Sequence, residues 1–158
     1  MFSIGDKIVY PMHGAGIIES VEEREILGEM RRYYIMRMPI GEMKLMIPIS
    51  NVSDIGLRRV IAEESVPSVL MVLKDKDSPM SANWNRRYRS NMEKIKSGDI
   101  FELAEVVRNL SLREKDKGLS TGEKKMLENA RQILVSELVL AKGSQEDSIR
   151  DLLKECIE

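Results

Sequence analysis

One cysteine, one histidine and one tryptophan stand among 158 residues, and each scarcity excludes something. The single Cys156 cannot close an internal disulfide or build a cysteine-based zinc site. It falls on the apolar stripe of the last expected helix, where a lone thiol behaves as a small buried hydrophobe. His13 lies in a Pro11-x-His13-Gly14-x-Gly16 turn with no nucleophile or carboxylate held beside it, so the structural reading outweighs the catalytic one. Gly14-x-Gly16 is not a phosphate loop, because no Lys-Ser/Thr follows and no helix opens after it. No acidic pair stands at metal-ligand spacing from His13, and Glu22-Glu23 and Glu63-Glu64 read as solvated surface. The expectation is no catalytic residue, no metal, no cofactor and no small-molecule substrate. No apolar run approaches membrane-spanning length. The opening MFSIGDKIVY lacks a basic segment followed by an apolar one, so it does not read as a signal peptide. A soluble, cytoplasmic chain with no membrane partner is expected. The formal net charge of -1 gives no global attraction for a polyanion.

What is present is unevenly placed. Residues 1–66 carry eight basic and ten acidic side chains, whereas Trp84 to Lys96 holds Arg86, Arg87, Arg89, Lys94 and Lys96 against Glu93 alone. Any polyanion site should therefore be local and near 84–96. Residues 1–60 read as short strands joined by turns: Lys7–Tyr10, Ile17–Val21, Arg31–Met38, Met43–Ile49 and a fifth near Leu57–Val60. Tyr34, Met36 and Met38 share a face. Met43, Leu45, Ile47 and Ile49 point one way, with Lys44 and Met46 opposite. Strands this short and this tightly connected predict a small, strongly twisted barrel with an edge left open for strand addition.

The period becomes helical from about Val66. Helices are expected over Ser68–Leu73, Ala82–Lys96, from Asp99 to near Gly118, from Ser120 to about Ala141, and from Ser144 onward. Ser120-x-x-Glu123 is a capping box, and Asp99 with Glu102 resembles one. Phe101, Leu103, Ala104, Val106, Val107 and Leu110 are assigned to the buried face of the third helix. The domain boundary falls near 60–67, giving domains at 1–62 and 67–158, with a second flexible point at Asp75–Ser81. Two domains of this size have thin cores and rely on packing against each other.

The strongest local signal is Asn83-Trp84-Asn85-Arg86-Arg87-Tyr88-Arg89. At helical spacing Trp84, Tyr88, Met92 and Ile95 form one stripe, with Arg87 and Asn91 beside it and Arg86 and Arg89 round the other side. Spacing alone favours a core indole. The place of Trp84 in the first helical turn leaves a projecting indole open, and an apolar wedge beside arginines is a known way into a minor groove.

These motifs resemble the CarD (CdnL) family of bacterial transcription regulators over the whole chain. The matching residues are Gly5-Asp6-x-x-Val9-Tyr10-Pro11-x-His13-Gly14, Ile47-Pro48, Asn83-Trp84-x-Arg86-Arg87-Tyr88, Ser97-Gly98-Asp99, Ala104-Glu105-Val106-Val107-Arg108-x-Leu110 and Gly118-Leu119-Ser120-x-Gly122-Glu123-Lys124. The N-terminal set alone is less specific, since a related module occurs in transcription-repair coupling factors. The resemblance implies an α+β fold: a small Tudor-like N-terminal β-barrel followed by an all-α C-terminal helical domain. It implies that the first domain binds the RNA polymerase β subunit and the second contacts promoter DNA at the upstream edge of the melted bubble. Trp84 would wedge at the minor groove, with Arg86, Arg87 and Arg89 on the backbone. Arg24 matches a polymerase-facing arginine. Lys44 and Met46 belong to the same implied surface, although Met46 departs from the basic residue some relatives carry. The protein would then be cytoplasmic and associated with the nucleoid through polymerase. The competing reading is an interaction adapter that binds no DNA, with the helices as scaffold and Trp84 in the core.

Overall fold

The computed structural model describes residues 2–76 and 79–157. Asp77 and Ser78, inside the flexible point expected at Asp75–Ser81, lie outside the described residues. The N-terminal part is a five-stranded antiparallel sheet: β1 (Lys7–Tyr10), β2 (Gly14–Ile26), β3 (Glu29–Arg37), β4 (Lys44–Pro48) and β5 (Arg58–Arg59). Its order is β4-β3-β2-β1-β5.

The sheet corrects the expectation of a Tudor-like barrel. Closure requires the two edge strands to pair. Here β4 pairs only with β3, and the two-residue β5 only with β1, so the edges stay apart. The polar run after Val21 does not end the strand. It instead continues β2 to Ile26 and pairs with β3 down to Glu29, as a ribbon that passes beyond the reach of β4. Leu27 and Gly28 close this ribbon with positive φ at both positions, 53° and 80°, as a tight two-residue hairpin requires.

Other elements cover the sheet in place of closure. One face buries Ile8, Ile18, Tyr34, Met36, Met38 and Ile47 under Phe2 and the segment from Ile49 to Leu57. That segment holds a single 3-10 turn and α1 (Val52–Ile55), where the sequence suggested only a turn. On the other face Val9 and Ala15 pack with Leu140 from the helical part.

The helical part contains α2 (Val66–Lys74), α3 (Trp84–Lys96), α4 (Ile100–Asp116), α5 (Thr121–Lys142) and α6 (Glu146–Ile157). Pro67 sits in the first turn of α2, where its missing N–H costs nothing. Asp99 caps α4 by accepting from the Phe101 amide at 2.7 Å, and α4 buries Ile100 while Phe101 stays exposed, contrary to the expected stripe. The core gathers α2, α4, α5 and α6 around Val69, Val107, Leu110, Leu127, Leu134 and Ile149, with Cys156 buried at its edge. Arg108 is buried too, and it donates to the Val72 carbonyl at 2.8 Å.

Candidate nucleic-acid interface

Asn83 starts α3: its backbone is extended and its side chain accepts from the Arg86 amide at 3.0 Å. Such a cap contributes about 1 kcal/mol and fixes where the helix begins. Trp84 is therefore the first helical residue, and Tyr88 lies one turn on. Their rings stack at 4.9 Å between centroids and 19° between planes. The indole Nε1 donates to the Ser120 hydroxyl at 3.0 Å. Both rings lie over the first turn of α5, where Gly122 keeps the surface low. Trp84 is nonetheless 42% exposed. An open groove of about 330 Å³ runs beside it, lined by Tyr88, Arg89, Met92 and Lys96 among others.

The inward line of α3 is Arg87, Asn91 and Ile95 rather than Trp84, Tyr88, Met92 and Ile95. Arg87 is only 3% exposed, and its guanidinium donates through Nε and Nη2 to Glu123 at 2.7 and 3.1 Å. Nη1 also donates to the Ser81 carbonyl at 3.2 Å. Glu123 is 1% exposed. The Arg87 guanidinium holds its carboxyl below the usual glutamate range, against the opposing push of burial, with further help from the Ser120 amide and hydroxyl. The same bond raises the Arg87 pKa above its ordinary value. One carboxylate thus serves the start of α5 and the floor of α3.

Arg86 and Arg89 are exposed and make no ion pair among the described residues. Lys94 reaches Glu105 at 3.7 Å. Lys124 and Lys125 are exposed in the first turns of α5, which the indole overlies at Gly122. The structure therefore leaves Trp84, Arg86 and Arg89 all exposed on α3, brings Arg89 into the groove beside the indole, and turns Arg87 inward. The inward role of Arg87 had one trace in the sequence, its helical spacing to Asn91 and Ile95, but the partner that decides it is 36 residues away.

Arg24, Lys44 and Met46 share one face of the sheet by register, since Arg24 pairs with Arg31, Lys44 with Arg37 and Met46 with Ile35. Arg24 and Lys44 stand about 20 Å apart along β3. Each is exposed, with an acidic neighbour: Glu22 for Arg24 at 3.0 Å, and Glu19 for Lys44 at 2.9 Å. Met46 is exposed on β4, the free edge. Sequence reasoning missed the apolar tip of the β2–β3 ribbon, where Ile26, Leu27 and Met30 are exposed and Leu27 is 99% so. The signal was there, a large apolar residue placed directly in a two-residue turn. The His13 and Tyr10 rings pack at a steep angle of 75°, 4.4 Å between centroids. Among the described residues, no group of three His, Cys, Asp or Glu side chains comes together to hold a metal ion. Nor, among them, is any helix long and apolar enough to cross a membrane.

Two family models match the chain: "CarD-like/TRCF RID domain" over residues 2–61 and "CarD, C-terminal domain" over residues 68–154. The chain is also 46% identical over 150 residues to a Bacillus subtilis (strain 168) protein named "Putative transcription factor YdeB", covering 95% of this chain and 98% of that one.

Proposed function

The chain belongs to the CarD family of bacterial transcription regulators, whose members are not enzymes, and from that premise we propose that it stabilises the open promoter complex. Residues 1–62 dock on the RNA polymerase β subunit, and residues 67–158 place Trp84 at the minor groove of the upstream bubble edge. The observation that carries this reading is the state of the indole. It is held by Tyr88 and Ser120, yet it is 42% exposed, and the exposed Arg89 lines the groove beside it. A core residue would be enclosed, and an idle surface residue would have no need of a hydrogen bond and a stacked ring. A ring held this way loses little rotational freedom on inserting between base steps.

Arg86 and Arg89 contact the phosphate backbone. Arg87 keeps a different part: it braces α3 against α5 through Glu123 and so aims the indole. On the sheet, Arg24, Lys44 and Met46 face polymerase, and the free β4 edge is available for strand addition by the partner. The exposed Leu27 tip supplies apolar contact at the Arg24 end. A net charge of -1 makes DNA binding by the free chain weak. Docking on polymerase raises the effective concentration of the DNA contact. The shift toward the open complex then equals the difference in wedge affinity for the open and closed states. Localisation follows the partner, in the cytoplasm at the nucleoid.

Trp84→Ala is the test. Polymerase binding should persist while the open complex decays faster. An unchanged lifetime would favour the adapter reading, in which the helices only scaffold.

A further inference from the structure

We infer that α5 is a strut that sets the distance and angle between the docked sheet and the indole. This rests on the function proposed above. One end of α5 holds the wedge: the Ser120 hydroxyl accepts from Trp84 and from the Glu123 amide, and Glu123 takes Arg87. The other end is latched onto the sheet at three strands. The Ser136 hydroxyl accepts from the Ala15 amide of β2 at 2.9 Å. Glu137, fully buried, accepts from both terminal nitrogens of Arg58 in β5 at 2.8 and 2.7 Å, and from the Ile61 amide at 3.0 Å. Lys7 of β1 donates to the Leu140 carbonyl at 3.2 Å. Arg58 also donates through Nε to the Gly98 carbonyl at 2.6 Å, which ties in the turn between α3 and α4.

The two ends lie on one uninterrupted helix. From Glu123 to Glu137 it spans about 21 Å. Its middle is locked by Met126, Leu127, Ala130, Ile133 and Leu134 in the core. The Gly14-x-Gly16 stretch, expected to be a turn, opens β2 and belongs to the latch. Gly14 has a φ of 121°, which favours glycine, and an added Cβ there would crowd Ser136 Oγ and Met38 Cε at 2.9 Å each. Side chains at both ends of a continuous helix cannot shift independently. Ser120, Glu123, Ser136, Glu137 and Arg58 are therefore positioning residues for Trp84. They touch no DNA themselves, and they set where the indole stands once the sheet is docked.

Glu137→Gln tests the strut, because it keeps the shape and removes the charge that Arg58 pairs with. Arg58→Lys, at the more exposed end of the same pair, replaces it should Glu137→Gln fail to fold. Two readouts apply. Spin labels at Asp54→Cys and Ser90→Cys, in a Cys156→Ser background, report the separation of the sheet and α3 in the free protein. Open-complex lifetime reports function. Expected are a broadened label–label distance distribution and a lifetime at least threefold shorter, with polymerase affinity unchanged. Ile149→Val, which trims the core at α6 away from the latch, should leave both readouts as in the wild type. A wild-type distance distribution in Glu137→Gln overturns the strut. So does an Ile149→Val variant of equal melting temperature that shortens the lifetime as much. Trp84→Ala run in parallel separates the two ideas. If it shortens the lifetime and Glu137→Gln does not, the strut alone falls; if neither does, the wedge falls with it.

Discussion

Arg87 and Glu123 meet in a two-pronged ion pair, 2.7 and 3.1 Å, with both side chains almost wholly out of water. It joins the first turns of α3 and α5, and the ring of Trp84 rests on the same junction. Charges placed so deep are stable only as a pair, and their removal one at a time leaves a buried charge without a counter-ion.

Arg87→Ala should therefore cost about 3–5 kcal/mol of stability, read from urea unfolding. Replacing both partners together, Arg87→Met with Glu123→Leu, should cost less than either single truncation, because no uncompensated charge remains. A double variant less stable than both singles would show that the pair is not the brace.

The pair also sets a pH dependence. The Glu123 carboxyl is depressed in the folded state below its ordinary value of 4.5, first by Arg87. The unfolded chain then binds more protons than the native one as pH falls. The stabilisation is fully present above the ordinary glutamate range and is lost as pH drops through the lowered native value. The urea midpoint of the wild type should fall from pH 5 downward. Glu123→Gln should start lower and lose less over the same window.

Trp84 is the only indole, so its fluorescence reports the site without labelling. At 42% exposure it should be quenched by acrylamide in the free protein. Ser120→Ala removes the acceptor for Nε1 and should raise the quenching constant while leaving the helix count by circular dichroism unchanged. An indole shielded from acrylamide would contradict the exposed geometry.

Salt dependence separates the arginines that face solvent from the one that does not. Removing Arg86 or Arg89 should lower the slope of log affinity for promoter DNA against log salt by about 1 each. The measurement is best made with polymerase present, where tethering brings the contact into range.

Gly16→Ala should destabilise the sheet by more than 1 kcal/mol, since its Cβ would stand 2.7 Å from the Arg37 carbonyl oxygen on β3. That contact is with backbone, so it cannot be relieved by a rotamer change. A thermal melt shows the effect directly; an unchanged melting temperature would mean the two strands can separate locally at no cost.

Local order was legible in the sequence because it is made locally. The caps Asn83, Asp99 and Ser120 act on amides two or three residues away, and the strand and helix periods show in short windows. The ordered motifs pointed to the family, and two family models match it. Tertiary structure decided the rest, because the deciding partners are far off in the chain. Arg87 turned inward for Glu123, 36 residues away. The indole took its tilt from Ser120, equally distant. The sheet stayed open, with Leu140 of α5 packed on one face and the Ile49–Leu57 segment on the other in place of closure. Short-range pattern tells a residue which element it joins; only the assembled neighbours decide whether it faces water or a counter-charge.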